Sequence, residues 1–451
     1  MVLCPIDYRY GREEMKRIWS REGRLQAMLD VEAALAEAHA GVGNIPREAA
    51  EEIKRKATLE HVSPEEVDAL EREIRHDIMA MVKVLASRCE GDAAKYVHLG
   101  ATSNDIIDTA NALLIKKSLK IIKKGLVDLA VVLGKRAEEH RHTVMLGRTH
   151  GQPGLPITFG LKMTVFAAEI LRHIERLEEA EKRLCAGKMM GAVGTGAGFG
   201  EKAFEIQSMV MEKLGLIPEE APTQVVGRDR YAELYSLMAL IAASLEKMAT
   251  EVRNLQRPEI GEVAEAFDVE KQVGSSTMAH KKNPITSENI CGLARVVRSA
   301  VTPGYENMIL WHERDLTNSS SERILLPHVF VLTDDIIHKA TSVFRDLVVF
   351  PEKMMENIEK TRGTIMGERV MLALVDKGMG RQEAHEIVRR AAMEATESGK
   401  HMMDVLLTSE EVRKLMSEQE LAGLFDPSTY LGATQEIIDS VLDKIKKLQP
   451  Q

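Results

Sequence analysis

The chain has 451 residues, of which 44% are hydrophobic and 29% are charged, an ordinary composition for a globular protein. Its formal net charge is −9, and aromatic residues make up only 4% of it. This acidic balance and the scarcity of aromatic rings argue against a nucleic-acid-binding surface, which relies on clustered positive charge and on stacking. The length predicts about two or three domains.

The cysteine and hydropathy patterns exclude further classes of protein. The four cysteines lie far apart and form no Cys-x-x-Cys pair, so neither a disulfide framework nor a zinc ribbon is expected. His140 and His142 have no accompanying metal-binding pattern, and we expect no metal. No run of about 20 apolar residues is present, and the N-terminal segment lacks the apolar core of a signal peptide. The sequence therefore predicts a cytoplasmic protein without a membrane span.

Long stretches with helical periodicity occupy most of the chain. Apolar residues in 64–88 recur at helical spacing on one face, which predicts a helix there. Longer helices are expected over residues 109–140, 158–186, 230–257, 285–301 and 322–348. Because these lengths exceed the roughly 11 to 12 residues of an average helix, we predict an all-α protein with a central bundle of long helices.

Domain boundaries follow from where the long helices begin and end. We predict an N-terminal helical domain over residues 1–108, a central long-helix bundle over 109–350, and a C-terminal helical domain over 351–451. Long apolar helices commonly need partner helices to cover them, so a homo-oligomer is expected.

The serine-rich segment Val273–Pro284, VGSSTMAHKKNP, is the richest of five polar interruptions in the helical pattern. Gly274 permits unusual backbone angles, Ser275 offers a hydroxyl, and Lys281 and Lys282 offer positive charge for a carboxylate. Such a loop is a candidate for function, since loops on a rigid scaffold often carry sites. The alternative is a solvated, mobile loop.

Two further interruptions contain histidines. His150 lies in GRTHGQP at 147–153, where it could exchange protons near neutral pH or simply cap or pack. The segment HLGATSND begins at His98 and leads into a long predicted helix. Thr102 and Ser103 could bind an anion at the helix N-terminus, although a helix cap alone would explain them.

The remaining two interruptions contain arginines. Arg75-His76-Asp77 is expected on the first clear helix, where a solvated face is the ordinary explanation. The segment WHERDLTNSSSER at 311–323 combines arginines with a serine run, a common way to hold phosphate, or forms a polar turn before a helix. The glycine-rich segment 191–200 fits neither the dinucleotide fingerprint nor the P-loop pattern.

Together and in this order, these segments resemble the fumarase/aspartase superfamily. GSSTMAHKKNP is similar to the superfamily signature G-S-S-x-M-P-x-K-x-N-P, with Ala279 where the family usually has proline. The resemblance covers nearly the whole chain, from Arg9-Tyr10 into the C-terminal helices. It implies an all-α, three-domain, fumarase/aspartase-like fold and a homotetramer with a shared core of long helices.

Within the superfamily, the other segments are similar to the adenylosuccinate lyase family. They are the RHD triplet, the Thr102-Ser103 pair, GRTHGQ, TQVVGRDR and SSSER. This resemblance implies β-elimination of fumarate from adenylosuccinate, giving AMP. It also implies the same reaction on succinylated aminoimidazole carboxamide ribotide (SAICAR), giving AICAR, with no cofactor. The expected partner is a small nucleotide substrate, not a nucleic acid or a membrane.

The residue types alone and the family resemblance imply different catalytic roles for His150 and Ser275. From the residues alone, His150 would be the base, because a serine hydroxyl is a poor one. The resemblance instead implies that Ser275 is the base and His150 the acid, and that His98 supports the site. The substrate-binding residues that it implies, together with the chemically suited loop residues, are Arg9, Tyr10, Arg75, His76, Asp77, Thr102, Ser103, Gln224, Lys281, Lys282, Asn283, Asn289, Arg314, Ser319 and Arg323.

Active sites shared between subunits are also expected. The loops at His98 and His150 lie at opposite ends of the predicted helix 109–140, which would be roughly 45 Å long. A small substrate cannot contact both ends of it. The alternatives for the chain as a whole are another member of the superfamily, such as a cycloisomerase, or a catalytically silent helical scaffold. The presence of both Ser275 and His150 counts against the scaffold.

Overall fold

The computed structural model describes residues 4–266 and 281–448 and is predominantly helical, which confirms the predicted all-α class. The α-helices are, in chain order, α1 (Pro5–Tyr8), α2 (Glu13–Trp19), α3 (Arg21–Gly41), α4 (Arg47–Lys56), α5 (Pro64–Ile74), α6 (Asp77–Arg88), α7 (Ser103–Glu139), α8 (Phe159–Leu184), α9 (Ala203–Leu214), α10 (Asp229–Leu255), α11 (Ile285–Ser299), α12 (Val301–Glu306), α13 (Thr317–Asp346), α14 (Pro351–Glu359), α15 (Gly367–Asp376), α16 (Arg381–Ser398), α17 (Met402–Leu406), α18 (Glu410–Leu415), α19 (Glu418–Leu424) and α20 (Thr434–Lys446).

Short strands form pairs between the helices. Antiparallel pairs join β1 (Val144–Thr149) to β2 (Gln152–Thr158) and β5 (Val263–Ala264) to β6 (Val348–Val349), and a parallel pair joins β3 (Ala186–Gly187) to β4 (Ile217–Pro218). Short 3₁₀ segments lie at Ala93–Tyr96, Ala197–Lys202, Thr364–Met366 and Pro427–Thr429. In the part of the chain that the structure describes, no helix is both long and apolar enough to cross a membrane.

The chain divides into two compact units. Unit 1 comprises Met1–Leu126, Arg172–Glu246 and Cys291–His338, and unit 2 comprises Val127–Leu171, Lys247–Ile290 and Lys339–Gln451. The long helices α7, α8, α10, α11 and α13 contribute residues to both. The division into three domains stays a prediction.

The core of unit 1 contains a stacked aromatic pair, and the polar atom of one ring is hydrogen-bonded. Trp19, at the end of α2, stacks on Phe330 of α13 with ring centroids 5.4 Å apart. Its indole nitrogen donates to the buried Ser118 hydroxyl at 2.9 Å, so the ring is buried without leaving its polar atom unsatisfied. The face of α3 beside it buries Leu25 and Leu29.

The predicted helix over 64–88 is interrupted, and this part of the prediction is wrong. Arg75 adopts the left-handed conformation, with φ 56°, and ends α5. His76 then caps α6, because its Nδ1 accepts a hydrogen bond from the Met79 amide at 3.3 Å. The triplet Arg75-His76-Asp77 therefore lies at a sharp break between two helices, not on the face of a continuous one. The longer helices lie where the periodicity predicts them, although α7 begins six residues and α13 five residues earlier than expected.

Unit 2 contains a β-hairpin where the sequence predicted a loop. Strands β1 and β2 pair from Val144–Thr158 to Thr149–Gln152, and their register shifts between Leu146 and Arg148. His150 and Gly151 form the two-residue connection with φ values of 54° and 75°. Positive φ at both central residues is the geometry that a tight hairpin turn requires.

Candidate functional site

A cavity of about 460 Å³ opens in unit 1 between α3, α5, α6, α7 and α13. One part of its wall is apolar and includes Met28, Met81, Ile107 and Leu326. Another part is polar. Its charged and polar side chains include Arg21, Arg24, Asp68, Glu71, Asp77, Asn104, Asn111, Arg228, Arg314, Asn318, Ser319, Glu322 and Arg323. A cavity that combines an apolar wall with several arginines can hold a ligand that has both an apolar and an anionic part.

The break between α5 and α6 faces the start of α13 in this cavity. Arg323 Nη2 donates to Asp77 Oδ2 at 2.5 Å, and Ser319 lies one helical turn before Arg323. Both members of the ion pair are partly exposed, so their stabilising contribution is small. An arginine that remains accessible beside a hydroxyl can still exchange its partner for an incoming anion.

Arg314 is held by neutral amides. Its Nη1 donates to Gln224 Oε1 at 3.1 Å. With the Asn104 amide oriented to satisfy its neighbours, the amide oxygen accepts two hydrogen bonds from Arg314, at 3.2 and 3.3 Å. Burial lowers the pKa of Arg314, and the charges of Asp108 and Glu322 act in the opposite direction. The guanidinium group is thus oriented by hydrogen bonds to amides, and no carboxylate of residues 4–266 or 281–448 forms an ion pair with it.

Arg228 forms a buried network behind the cavity wall. It donates to both carboxylate oxygens of Asp108, at 2.8 and 2.9 Å, and to both of Glu322, at 2.8 and 3.1 Å. Its guanidinium also lies 4.8 Å from the centroid of the Tyr231 ring. Burial would lower the pKa of Arg228, but the two carboxylates outweigh it and raise that pKa well above its usual value. The network fixes the position of α13 relative to α7 and α10 within unit 1.

The N-terminus of α7 is stabilised by its own third residue. Asp105 accepts a hydrogen bond from the Thr102 amide at 2.8 Å, which satisfies one of the free amides that every helix N-terminus has. Asp105 also accepts from the amides of Met190 and Gly191, and forms a fully buried ion pair with Lys188 at 2.5 Å. Thr102 and Ser103 are therefore held in place by a satisfied cap, with both side chains partly accessible.

His98 forms a buried ion pair in unit 1. Its Nδ1 lies 2.6 Å from Glu32 Oε1, and Glu32 is almost completely buried. Burial alone would lower the pKa of His98, but the hydrogen bond and negative charge of Glu32 outweigh it and raise that pKa. His98 also has a positive φ of 65°, so the backbone just before α7 is constrained.

Several predicted residues of unit 1 do not line the cavity. Arg9, exposed at the end of α1, lies 5.8 Å from the centroid of the Tyr10 ring. Arg75 and His76 are both exposed and flank Asp77. Gln224 also donates to the Ala192 carbonyl at 3.0 Å, and so joins the glycine-rich segment to Arg314.

His150 occupies the exposed tip of the hairpin in unit 2. The hairpin is supported below the tip by Arg148, which donates to both carboxylate oxygens of Glu262, at 2.9 and 2.6 Å. Glu262 is fully buried and also accepts from Asn357 Nδ2 at 2.8 Å. The position of the imidazole is therefore set by the turn and by this support, not by a hydrogen bond of its own ring among the described residues.

The lysine end of the serine-rich segment also lies in unit 2. Lys281 and Lys282 are exposed, and the Lys282 carbonyl accepts from Gln256 Nε2 at 3.3 Å. Asn283 follows them just before α11, and within α11 Asn289 Oδ1 accepts from Lys339 Nζ at 2.6 Å. Ser275, the predicted base, and Ala279 lie outside the described residues.

Nine of the thirteen polar and charged residues that line the cavity were not predicted as substrate-contacting candidates, among them Arg24, Asn104 and Arg228. Asn104 lies in the HLGATSND segment and Arg228 in the TQVVGRDR segment, but neither was singled out there as a substrate-contacting residue. Arg24 has no local signal, because it lies within an ordinary helical run. Over residues 4–266 and 281–448, no group of three or more His, Cys, Asp or Glu side chains is arranged to hold a metal.

Comparison with known proteins finds relatives of one kind that match this chain over nearly its whole length. A family model described as lyase matches residues 7–299, and one described as the adenylosuccinate lyase C-terminus matches residues 363–441. The adenylosuccinate lyase of Pyrococcus abyssi is 53% identical over 100% of this chain and 99% of the relative. That of Methanocaldococcus jannaschii is 51% identical over 99% of this chain and 96% of the relative.

Solved structures agree with these relatives. A fumarate lyase from a Mesorhizobium species has a TM-score of 0.89 and 34% identity, covering 96% of this chain and 98% of that one. A 3-carboxy-cis,cis-muconate lactonizing enzyme from Pseudomonas putida also has a TM-score of 0.89, with 31% identity and coverage of 98% and 99%. The fold is thus shared with enzymes that are named for different reactions. The identity of about half over the full length is to adenylosuccinate lyases. The chain belongs to the adenylosuccinate lyase family.

Proposed function

We propose that this chain catalyses β-elimination of fumarate from adenylosuccinate, giving AMP, and from SAICAR, giving AICAR, in purine nucleotide synthesis. The observation that carries this proposal is the 53% identity to an adenylosuccinate lyase over the full length of both chains. The muconate-lactonizing enzyme matches the same fold at 31% identity, so the fold alone does not select the substrate.

The chemistry of the unit 1 cavity is consistent with a nucleotide substrate. We place the phosphate at Ser319 and Arg323, because a guanidinium and a hydroxyl converge there at the start of α13. The apolar wall at Met28 and Met81 offers a surface for the purine or imidazole ring. The remaining predicted residues of unit 1 stay assigned to substrate binding, and His98 to a supporting role.

Elimination needs a base at the succinyl β-carbon and an acid at the departing nitrogen. We assign Ser275 as the base and His150 as the acid. The intermediate is a carbanion whose charge spreads onto the adjacent carboxylate, and donors fixed in advance around it lower its energy. Lys281, Lys282 and Asn283 supply positive charge and hydrogen-bond donors suited to that task.

We further propose that the enzyme is a cytoplasmic homotetramer in which each active site receives residues from more than one subunit. The helix α7, between the His98 and His150 loops, has 37 residues and is therefore about 55 Å long. A nucleotide is far shorter than this helix. Loops at both ends of α7 can serve one kind of site only if different subunits contribute them.

Mixed oligomers test the shared site. His150→Ala and Ser275→Ala chains, each inactive alone, should regain part of their activity after unfolding and refolding together, because some sites then receive both intact loops. Differently tagged chains allow the mixed oligomers to be purified and their fumarate release measured. Co-assembled chains as inactive as either parent would mean that one chain supplies both residues.

A spectrophotometric assay tests the reaction itself. The purified chain should convert adenylosuccinate to AMP and fumarate, and SAICAR to AICAR and fumarate, without added metal or cofactor. 3-Carboxy-cis,cis-muconate is the matched control substrate, because the Pseudomonas putida enzyme of the same fold is named for acting on it. Turnover of the muconate and not of adenylosuccinate would replace the proposed function by the rival one.

A further inference from the structure

Arg24 reaches the unit 1 cavity from the first turn of α3, on the same cavity wall as Met28. It is half-buried, and among the described residues its guanidinium group has no hydrogen-bond or ion-pair partner. A partly buried cation is costly when it loses solvation and no hydrogen bond or ion pair replaces that solvation. Such a group is expected where a ligand supplies the missing charge.

The other arginines of the cavity are accounted for by partners in the protein. Arg21 pairs with Glu65 and Asp68, Arg228 with Asp108 and Glu322, and Arg323 with Asp77. Arg314 is satisfied by the amides of Gln224 and Asn104. Arg24 therefore differs from every other arginine that lines this cavity in the described part of the chain.

The electrostatic surroundings of Arg24 indicate which part of a ligand it meets. Burial lowers the pKa of Arg24, the positive charge of Arg323 lowers it further, and the negative charge of Asp77 raises it. Arg24 thus lies close enough to the Asp77–Arg323 pair to sense both charges. The repulsion between the guanidinium groups of Arg24 and Arg323 is relieved by an added anion with several acceptor oxygens.

We propose that Arg24 is a substrate-binding residue that contacts the phosphate of the nucleotide together with Arg323. A phosphate monoester carries close to two negative charges near neutral pH and offers three acceptor oxygens. Arg323 alone, already shared with Asp77, balances only part of that charge. This proposal rests on the proposed nucleotide substrate, and it adds to the predicted site a residue from α3.

Binding of AMP and adenosine to the assembled enzyme, measured by calorimetry, separates the phosphate contact from other effects. Arg24→Met keeps an apolar side chain of similar length and should weaken AMP binding by about 10-fold or more, as expected for loss of a charged hydrogen bond. Adenosine, which lacks the phosphate, should bind it as well as it binds the wild type. Arg24→Lys should restore part of the affinity for AMP, because the charge returns without the planar fork.

Arg21→Met is the matched control, since Arg21 lines the same cavity from the same turn of α3 but is paired with carboxylates. Its affinity for AMP should stay at the wild-type value. Unchanged AMP binding in Arg24→Met, or an equal loss for AMP and adenosine, would overturn the assignment of Arg24 to the phosphate. Because AMP binding needs no turnover, an enzyme that releases fumarate yet binds AMP normally without Arg24 would refute this inference and leave the proposed function standing.

Discussion

The cavity of unit 1 and the hairpin of unit 2 hold their chemical groups in different ways. In the cavity, every guanidinium group except that of Arg24 is fixed by side-chain partners, as Arg314 is by Gln224 and Asn104. On the hairpin, His150 sits on an exposed two-residue turn, and the fixed partners lie below it at Arg148 and Glu262. The proposed anion-binding groups are therefore oriented mainly by side chains of one unit, whereas the proposed acid is positioned by backbone geometry and left accessible.

The largest effect is expected from the proposed catalytic pair. His150→Ala and Ser275→Ala should each lower kcat by about 10²- to 10⁴-fold, which is the usual contribution of general acid–base catalysis. The oligomer should stay intact, because the His150 side chain is exposed and supports no core. Steady-state kinetics with adenylosuccinate, with size-exclusion chromatography as the control, measures both. A near-normal kcat for Ser275→Ala would remove Ser275 from its assigned role.

A second large effect is expected on stability from the buried network of unit 1. Arg228→Met should lower the free energy of unfolding by about 3 to 5 kcal/mol, because it leaves Asp108 and Glu322 buried without their counter-charge. Arg183→Met removes a more exposed arginine paired with Glu233 and should cost at most about 1 kcal/mol. Urea unfolding of the two variants measures the contrast. Equal losses would show that burial of the Arg228 network does not matter.

A smaller effect is expected on binding from Arg323. Its pair with Asp77 is partly exposed, so Arg323→Ala should change the unfolding midpoint little. It should weaken AMP binding by about 1.5 to 3 kcal/mol, the range for a hydrogen bond to a charged group. Calorimetric titration with AMP checks this, and an unchanged Kd would contradict the placement of the phosphate.

The long helices could be predicted because apolar periodicity that is sustained over several helical turns outweighs local detail. The break at Arg75 could not, because Ile74 and Ile78 keep helical spacing across it while a non-glycine residue adopts the left-handed conformation. The hairpin was missed because its glycines and prolines conceal the alternation of β1 and β2.

Site residues were predictable where a polar segment interrupts the helical pattern and also resembles the family. Asp77, Arg314, Ser319 and Arg323 come from such segments, and the structure brings these four to one cavity. Arg24 lies in a helix whose sequence shows nothing unusual, and only the packing of α3 against its neighbours shows that it lacks a partner. The catalytic and binding roles themselves stay predictions.

Titration of the His150→Ala enzyme with AMP tests most directly whether recognition and proton transfer are separate. We predict that this variant, while unable to turn over adenylosuccinate, binds AMP with the wild-type Kd, because the proposed phosphate contacts lie in the cavity of unit 1. An AMP affinity that falls as steeply as kcat would contradict it, since His150 would then be part of the nucleotide-binding site.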